Sequence, residues 1–183
     1  MEKAISLDPY LAENYHNLSV LVEEQIRRTG SPALVQEMLN HSKRAVELEP
    51  FNPHYTNRYG MILLSYVDID EGLKYIDRSM DLLPYSENSY LQPALSRLRV
   101  AEQFIEAGNM QAASFYLNDL LTLENRMIDK MGTAQGLAFM LGRAHFLLGN
   151  FEVAVEYFSR IEEEELYFDD ARQHLAEISS AEE

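Results

Sequence analysis

The chain has no cysteine and no tryptophan. Without cysteine there is no disulfide, no thiolate metal site and no thiol nucleophile. Basic residues are scarce: 15 Lys and Arg stand against 30 Asp and Glu, giving a net charge of −15. Nucleic-acid binding needs basic surface to neutralise phosphates, so this balance argues against it. Anionic membrane surfaces are disfavoured for the same reason. No apolar run approaches the ~20 residues that span a bilayer, so no membrane insertion is expected of this segment. The first residues lack the basic start and apolar centre of a signal peptide. These absences describe a soluble segment. A cysteine-free chain suits a reducing cytoplasm, and an extracytoplasmic part of a membrane protein is the other setting.

What is present is a large apolar fraction, 46% of 183 residues, enough to bury a continuous core. The acidic excess is uneven. From Asn150 to Glu183 there are 11 acidic residues against Arg160 and Arg172, a local balance of −9. Apolar residues recur at intervals of three and four: Leu18, Leu21 and Val22; Ile62, Leu63 and Tyr66; Phe151, Val155 and Phe158. Turn residues punctuate at Gly30-Ser31-Pro32, Glu49 to Pro53, Leu83 to Ser86, Gly108-Asn109 and Gly149-Asn150. The pattern predicts an all-α array with helices of roughly 12 to 18 residues.

The array repeats. Ala4 to Tyr10 (AISLDPY) and Ala45 to Phe51 (AVELEPF) share one pattern, and Met80 to Tyr85 is a third version. Each reads as a helix end, a proline stop and an aromatic, because proline cannot continue a helix and fixes the turn to the next. The interval from Pro50 to Pro84 is that of a helix-pair repeat, about 34 residues. Inside the copies a Leu-Gly pair precedes a Gly, an Ala and an aromatic at fixed spacing. The best set is Leu141-Gly142, Gly149, Ala154 and Phe158; others are Ala101, Gly108, Ala113 and Leu117, and Tyr59-Gly60, Gly72 and Ile76. Leu18-Ser19 with Ala45 and Pro50 forms the first copy, with about seven extra residues placed at the Arg27 to Ala33 turn.

On these residues the chain resembles the tetratricopeptide repeat (TPR) family, whose period matches the Pro50-to-Pro84 interval. The resemblance implies one all-α domain, an α-α superhelix (TPR solenoid) of antiparallel helix pairs over 12–50, 53–84, 94–125 and 135–166. Residues 85–93 and 126–134 are over-long connectors, which suggests extended helices or a local change in pitch. Asn125 stands where the third copy should close on proline. Met1 to Pro9 looks like the end of a second helix without its partner, so the chain is expected to begin inside a longer array. Tyr167 to Ser180 carries Phe168, Ala171, Leu175 and Ile178 at helical spacing, as expected of a solvating cap helix.

The family lines its concave groove with the first helices. Mapped onto this sequence, the first pair contributes Glu13, His16, Val20 and Glu23, and the second contributes His54, Asn57, Met61 and Leu64, beside Arg58. The third contributes Leu95, Leu98, Glu102 and Ile105, and the fourth Gly136, Phe139, Arg143 and Phe146. Family members that clamp a chaperone's terminal carboxylate use Lys and Asn at set positions. Here those positions hold His16, Val20, Asn57 and Met61, so that partner is not expected. An amphipathic helix or extended apolar peptide, with Arg143 or Arg58 pairing an acid, fits better. Phe139 and Phe146 have a second reading, as packing residues beneath the final helix.

Chemistry-bearing patterns are missing. His16, His41, His54, His145 and His174 form no metal-binding spacing, although His16 and His54 could approach across neighbouring pairs. No glycine-rich phosphate loop occurs, and Glu162 to Glu165 with Asp169-Asp170 lacks the alternation and central Gly of a calcium loop. Arg27-Arg28 with Lys43-Arg44 is the main basic cluster, either a docking patch or a balance to the acidic surface. Asn17-Leu18-Ser19 fits a glycosylation triplet but falls within a helix. The expectation is therefore a non-enzymatic scaffold without metal or cofactor, binding a protein or peptide partner. A soluble repeat segment of a larger bacterial protein, such as a membrane polysaccharide ligase or polymerase, is the alternative. Self-association as a homodimer through exposed repeat ends, around Ala4 and Leu7, is a further reading.

Overall fold

The computed structural model describes residues 8–84, 87–126 and 134–181, and within them the regular structure is helical with no strand. The expected helix end at Met1 to Leu7, most of the connector at 126–134, and Tyr85 fall outside the described residues. The chain divides into two compact units, Met1–Leu83 and Pro84–Glu183. Among the described residues no helix is long and apolar enough to cross a membrane.

The first unit holds α1 (Ala12–Thr29), a 3-10 turn (Pro32–Leu34), α2 (Val35–Leu48), α3 (Pro53–Tyr66) and α4 (Ile69–Leu82). α1 packs on α2, α3 on α4, and α2 on α3. Start and stop signals are local. Asn52 caps α3 by accepting from the His54 and Tyr55 amides, with Pro53 in the first turn. Asp68 caps α4 by accepting from Glu71 N at 2.8 Å. Gly30, at φ +65°, closes α1 in the left-handed conformation that a side chain would strain. Between the pairs, Arg78 donates to the Pro50 carbonyl at 2.9 Å.

The core of this unit is two clusters. Ala12, Ala45, Val46, Tyr55, Tyr59 and Leu63 form one, and Val22, Ile26, Met38 and Ile62 the other. In α4, Ile76 and Met80 are fully buried, each contributing about 1.5–3 kcal/mol. The helices of the second pair come unusually close. A Cβ on Gly60 would stand 2.9 Å from the Gly72 carbonyl, and one on Gly72 would stand 2.5 Å from Leu64 N. The small residue in the Leu-Gly signature is thus required by backbone approach.

The second unit holds α5 (Glu87–Glu106), α6 (Met110–Thr122), α7 (Gln135–Leu147), α8 (Phe151–Phe158) and α9 (Phe168–Ala181). α5 packs on α6 and α7, α6 on α7, α7 on α8, and α8 on α9. Residues 87–93, part of the over-long connector for which the sequence offered an extended helix or a change in pitch, are helical: α5 runs through Pro93. Gly142 repeats the close approach of Gly60, since a Cβ there would stand 2.8 Å from the Phe158 ring. Arg97, 4% exposed, pairs with Asp119 at 2.6 Å and ties α5 to α6.

The structural period is longer than the interval between Pro50 and Pro84. Ser19, Gly60, Ala101 and Gly142 are all buried at the first-helix crossing, and they are spaced by 41 residues. The second-helix starts Asp68, Asn109 and Asn150 follow the same interval. The extra length lies in the helices. α8 has 8 residues where α4 has 14 and α6 has 13. Helix α9 therefore arrives early: Leu175-Ala176 follows Leu141-Gly142 at the shorter, Pro50-to-Pro84 interval. It takes the place of a further first helix.

Candidate functional site

In the first unit, α1 and α3 present a cleft of about 240 Å³ lined by Glu23, His54, Asn57, Arg58, Met61, Ile62, Ser65 and Tyr66. Arg58 joins the two helices, meeting Glu23 at 2.7 Å and donating to the Ser19 carbonyl at 3.3 Å. His16 sits beside the cleft with its ring centroid 4.8 Å from that of His54 and 5.1 Å from Tyr55. Burial, followed by electrostatic repulsion from His54 and Arg58, holds the His16 pKa below its ordinary value; Glu13 opposes them. His16 is thereby favoured as neutral imidazole. Three buried atoms here, His16 Nδ1, Asn57 Oδ1 and Arg58 Nε, have no hydrogen-bond partner among the described residues. Buried polar atoms are normally satisfied, so this floor offers unused hydrogen-bonding capacity to water or to a ligand. Leu64 lies elsewhere, half-buried where α3 crosses Gly72 of α4.

In the second unit, α5, α7 and α9 enclose a cleft of about 480 Å³. Its walls are Leu95, Leu98, Arg99 and Glu102 from α5, Phe139, Met140 and Arg143 from α7, and Tyr167, Asp170, Gln173 and His174 from α9 and the turn before it. Leu98, Phe139 and Met140 are buried. Arg143 pairs with Glu102 at 3.2 Å and contacts the His174 ring, which meets Glu177 at 3.2 Å on its other nitrogen. Phe139 stacks on Tyr167, with centroids 4.6 Å apart and planes within 9°. Phe146 faces His174 at 4.7 Å. Both rings therefore touch the terminal segment, as in the packing reading, and Phe139 also borders the cleft.

Position along the first helices brought most of these residues together: His54, Asn57, Arg58 and Met61 in one unit, Leu98, Glu102, Phe139 and Arg143 in the other. It did not reveal Arg99, Tyr167, Asp170 and Gln173. Arg99 had a signal, since it stands 41 residues after Arg58. The α9 residues had none, because their place follows from the shortened α8.

Several other chemistry-bearing residues find partners within their own unit. His145 is buried, stacks on Tyr157 with centroids 5.8 Å apart, and lies 3.9 Å from Glu124. Tyr157 donates to Glu124, and burial together with that bond raises its pKa. Arg27 and Arg28 pair with Glu23 and Glu24 on their own helix, and Arg44 with Glu47. Among the described residues no group of three or more His, Cys, Asp and Glu is placed to hold a metal ion.

Helix pairs packed in series, crossing at small buried residues, define an all-α helical repeat. No protein-family model and no curated protein matches the chain. Among solved structures, it is similar to a crystal structure of MamA, a TPR-like protein, at 14% identity and TM-score 0.57, covering 98% of this chain and 86% of that one. It is also similar to a MamA fragment from Desulfovibrio magneticus RS-1, at 16% identity and TM-score 0.55, covering 93% and 94%. At such identities the likeness shows the fold and nothing beyond it.

Proposed function

We propose that this chain is a non-enzymatic, protein-binding scaffold of TPR type whose first-helix faces receive a peptide or helix from a partner. The observation that carries the reading is the cleft of about 480 Å³ between α5, α7 and α9. Successive first helices leave a recess there with an apolar floor and polar walls, the form that accepts a helix or extended peptide. The α1–α3 cleft, with its unused polar atoms, is the matching surface of the first unit. The MamA structures are TPR-like, and TPR-type folds commonly serve as scaffolds, which supports the reading at the level of fold. No structural observation favours the membrane ligase or polymerase setting. The test is an affinity capture from the source cell, comparing the native chain with Met61→Glu/Leu95→Glu. Both positions are half-buried at a cleft. A partner held by the native chain and lost by a variant with unchanged helical circular dichroism supports the proposal. Equal capture by both forms overturns it.

A further inference from the structure

The cleft arginines were expected to pair an acid on the partner, yet both are already neutralised from within. Arg58 is held by Glu23 at 2.7 Å, and Arg143 by Glu102 at 3.2 Å. A partner carboxylate reaching either one would meet a charge that is already compensated, and so gains little. Within the lining of the second cleft the open charges are Arg99 and Asp170, which balance, and the exposed excess beside it in the chain is acidic. Asp170 lines it and is exposed, and Asp169 beside it is exposed as well. The preceding turn is the exposed acidic run Glu162 to Glu165. Arg99, exposed on the α5 wall, offsets one of these charges. The sequence from Asn150 onward still carries 11 acidic residues against two arginines.

We propose that the α5–α7–α9 cleft takes a basic amphipathic segment of a partner protein, with apolar side chains on the cleft floor and Lys or Arg toward Asp170 and the exposed acidic residues that flank it in the chain. This rests on the scaffold reading above and names the chemistry of its partner. Opposite charges across a rim steer encounter and reject like-charged competitors, more than they add raw affinity. The rim thus selects among amphipathic segments that the floor alone would accept equally.

Fluorescence anisotropy with two labelled peptides tests this. One is a short amphipathic helix of Leu and Lys; in the other, Glu replaces every Lys. The expected result is that the Lys peptide binds at least about tenfold more tightly, and that the preference shrinks as salt rises from about 50 to about 300 mM. Asp169→Lys/Asp170→Lys is expected to abolish the preference. Glu24→Lys/Glu37→Lys, which changes net charge equally in the first unit, should keep it. Equal binding of both peptides, or equal loss in the two variants, overturns the inference, the latter by showing a response to net charge alone. Tighter binding of the Glu peptide overturns it while leaving a cleft-binding scaffold intact. Binding of neither peptide overturns it too, and the affinity capture then decides the scaffold reading separately.

Discussion

Arg58 of α3 meets Glu23 of α1 at 2.7 Å, with about a fifth of each side chain exposed. This ion pair, with the bond from Arg58 to the Ser19 carbonyl, joins two first helices whose backbones make few direct contacts. Arg58→Met should lower the unfolding free energy by about 1 kcal/mol, because Glu23 keeps Arg27 on its own helix but loses the ion pair and the hydrogen bond that join α1 to α3. A urea-denaturation double-mutant cycle with Glu23→Gln should show coupling of about 1 kcal/mol. Additive effects would mean that the pair contributes nothing to the stability of the unit.

Glycine substitutions should separate by position. In an exposed helix Gly→Ala stabilises by up to ~1 kcal/mol. At Gly72 the new Cβ would strike the Leu64 backbone at 2.5 Å, and backbone cannot rotate aside. Gly72→Ala should therefore cost about 1–3 kcal/mol. At Gly136 the nearest atoms are Leu91 and Tyr167 side chains at 3.5 Å, ordinary contact. Gly136→Ala should be neutral or stabilising. Thermal melting of the two variants provides the comparison.

Acid should weaken the first unit through His16. Burial, His54 and Arg58 hold its pKa below the ordinary value of 6.5, so the folded chain binds this proton less readily than the unfolded chain. Its contribution is fully present above pH 6.5 and is lost as pH falls from there through the folded pKa. Urea midpoints measured from pH 7.5 down to about 5 should fall less steeply in His16→Gln than in the native chain. Parallel slopes would remove His16 from the account.

Alkali should act on the second unit through Tyr157. Burial first, and then the bond to Glu124, raise its pKa above 10. The unfolded phenol thus ionises before the folded one, and stability falls as pH climbs above 10. Tyr157→Phe should lose this alkaline slope, as read by near-neutral to alkaline urea melts.

Much of the fold was legible because its determinants are local. Asn52-Pro53 and Asp68 mark helix starts, and Gly60 and Gly142 mark close crossings at short sequence range. The longer structural interval was equally present in Ser19, Gly60, Ala101 and Gly142, but the more closely spaced Pro50 and Pro84 masked it. Of the two readings of the over-long connector at 85–93, the extended helix is what residues 87–93 form, with Pro93 inside α5. At the clefts, helical position placed His54, Asn57 and Met61 together. The pairing of Arg58 with Glu23, and of Arg143 with Glu102, joins residues on different helix pairs, far apart in the chain. No local spacing encodes such contacts.

Amide hydrogen exchange of the chain with and without its captured partner tests the central claim most directly. The account predicts added protection in the first helices, α1 and α3 of one unit or α5, α7 and α9 of the other. Protection confined to α2, α4, α6 and α8 would contradict it.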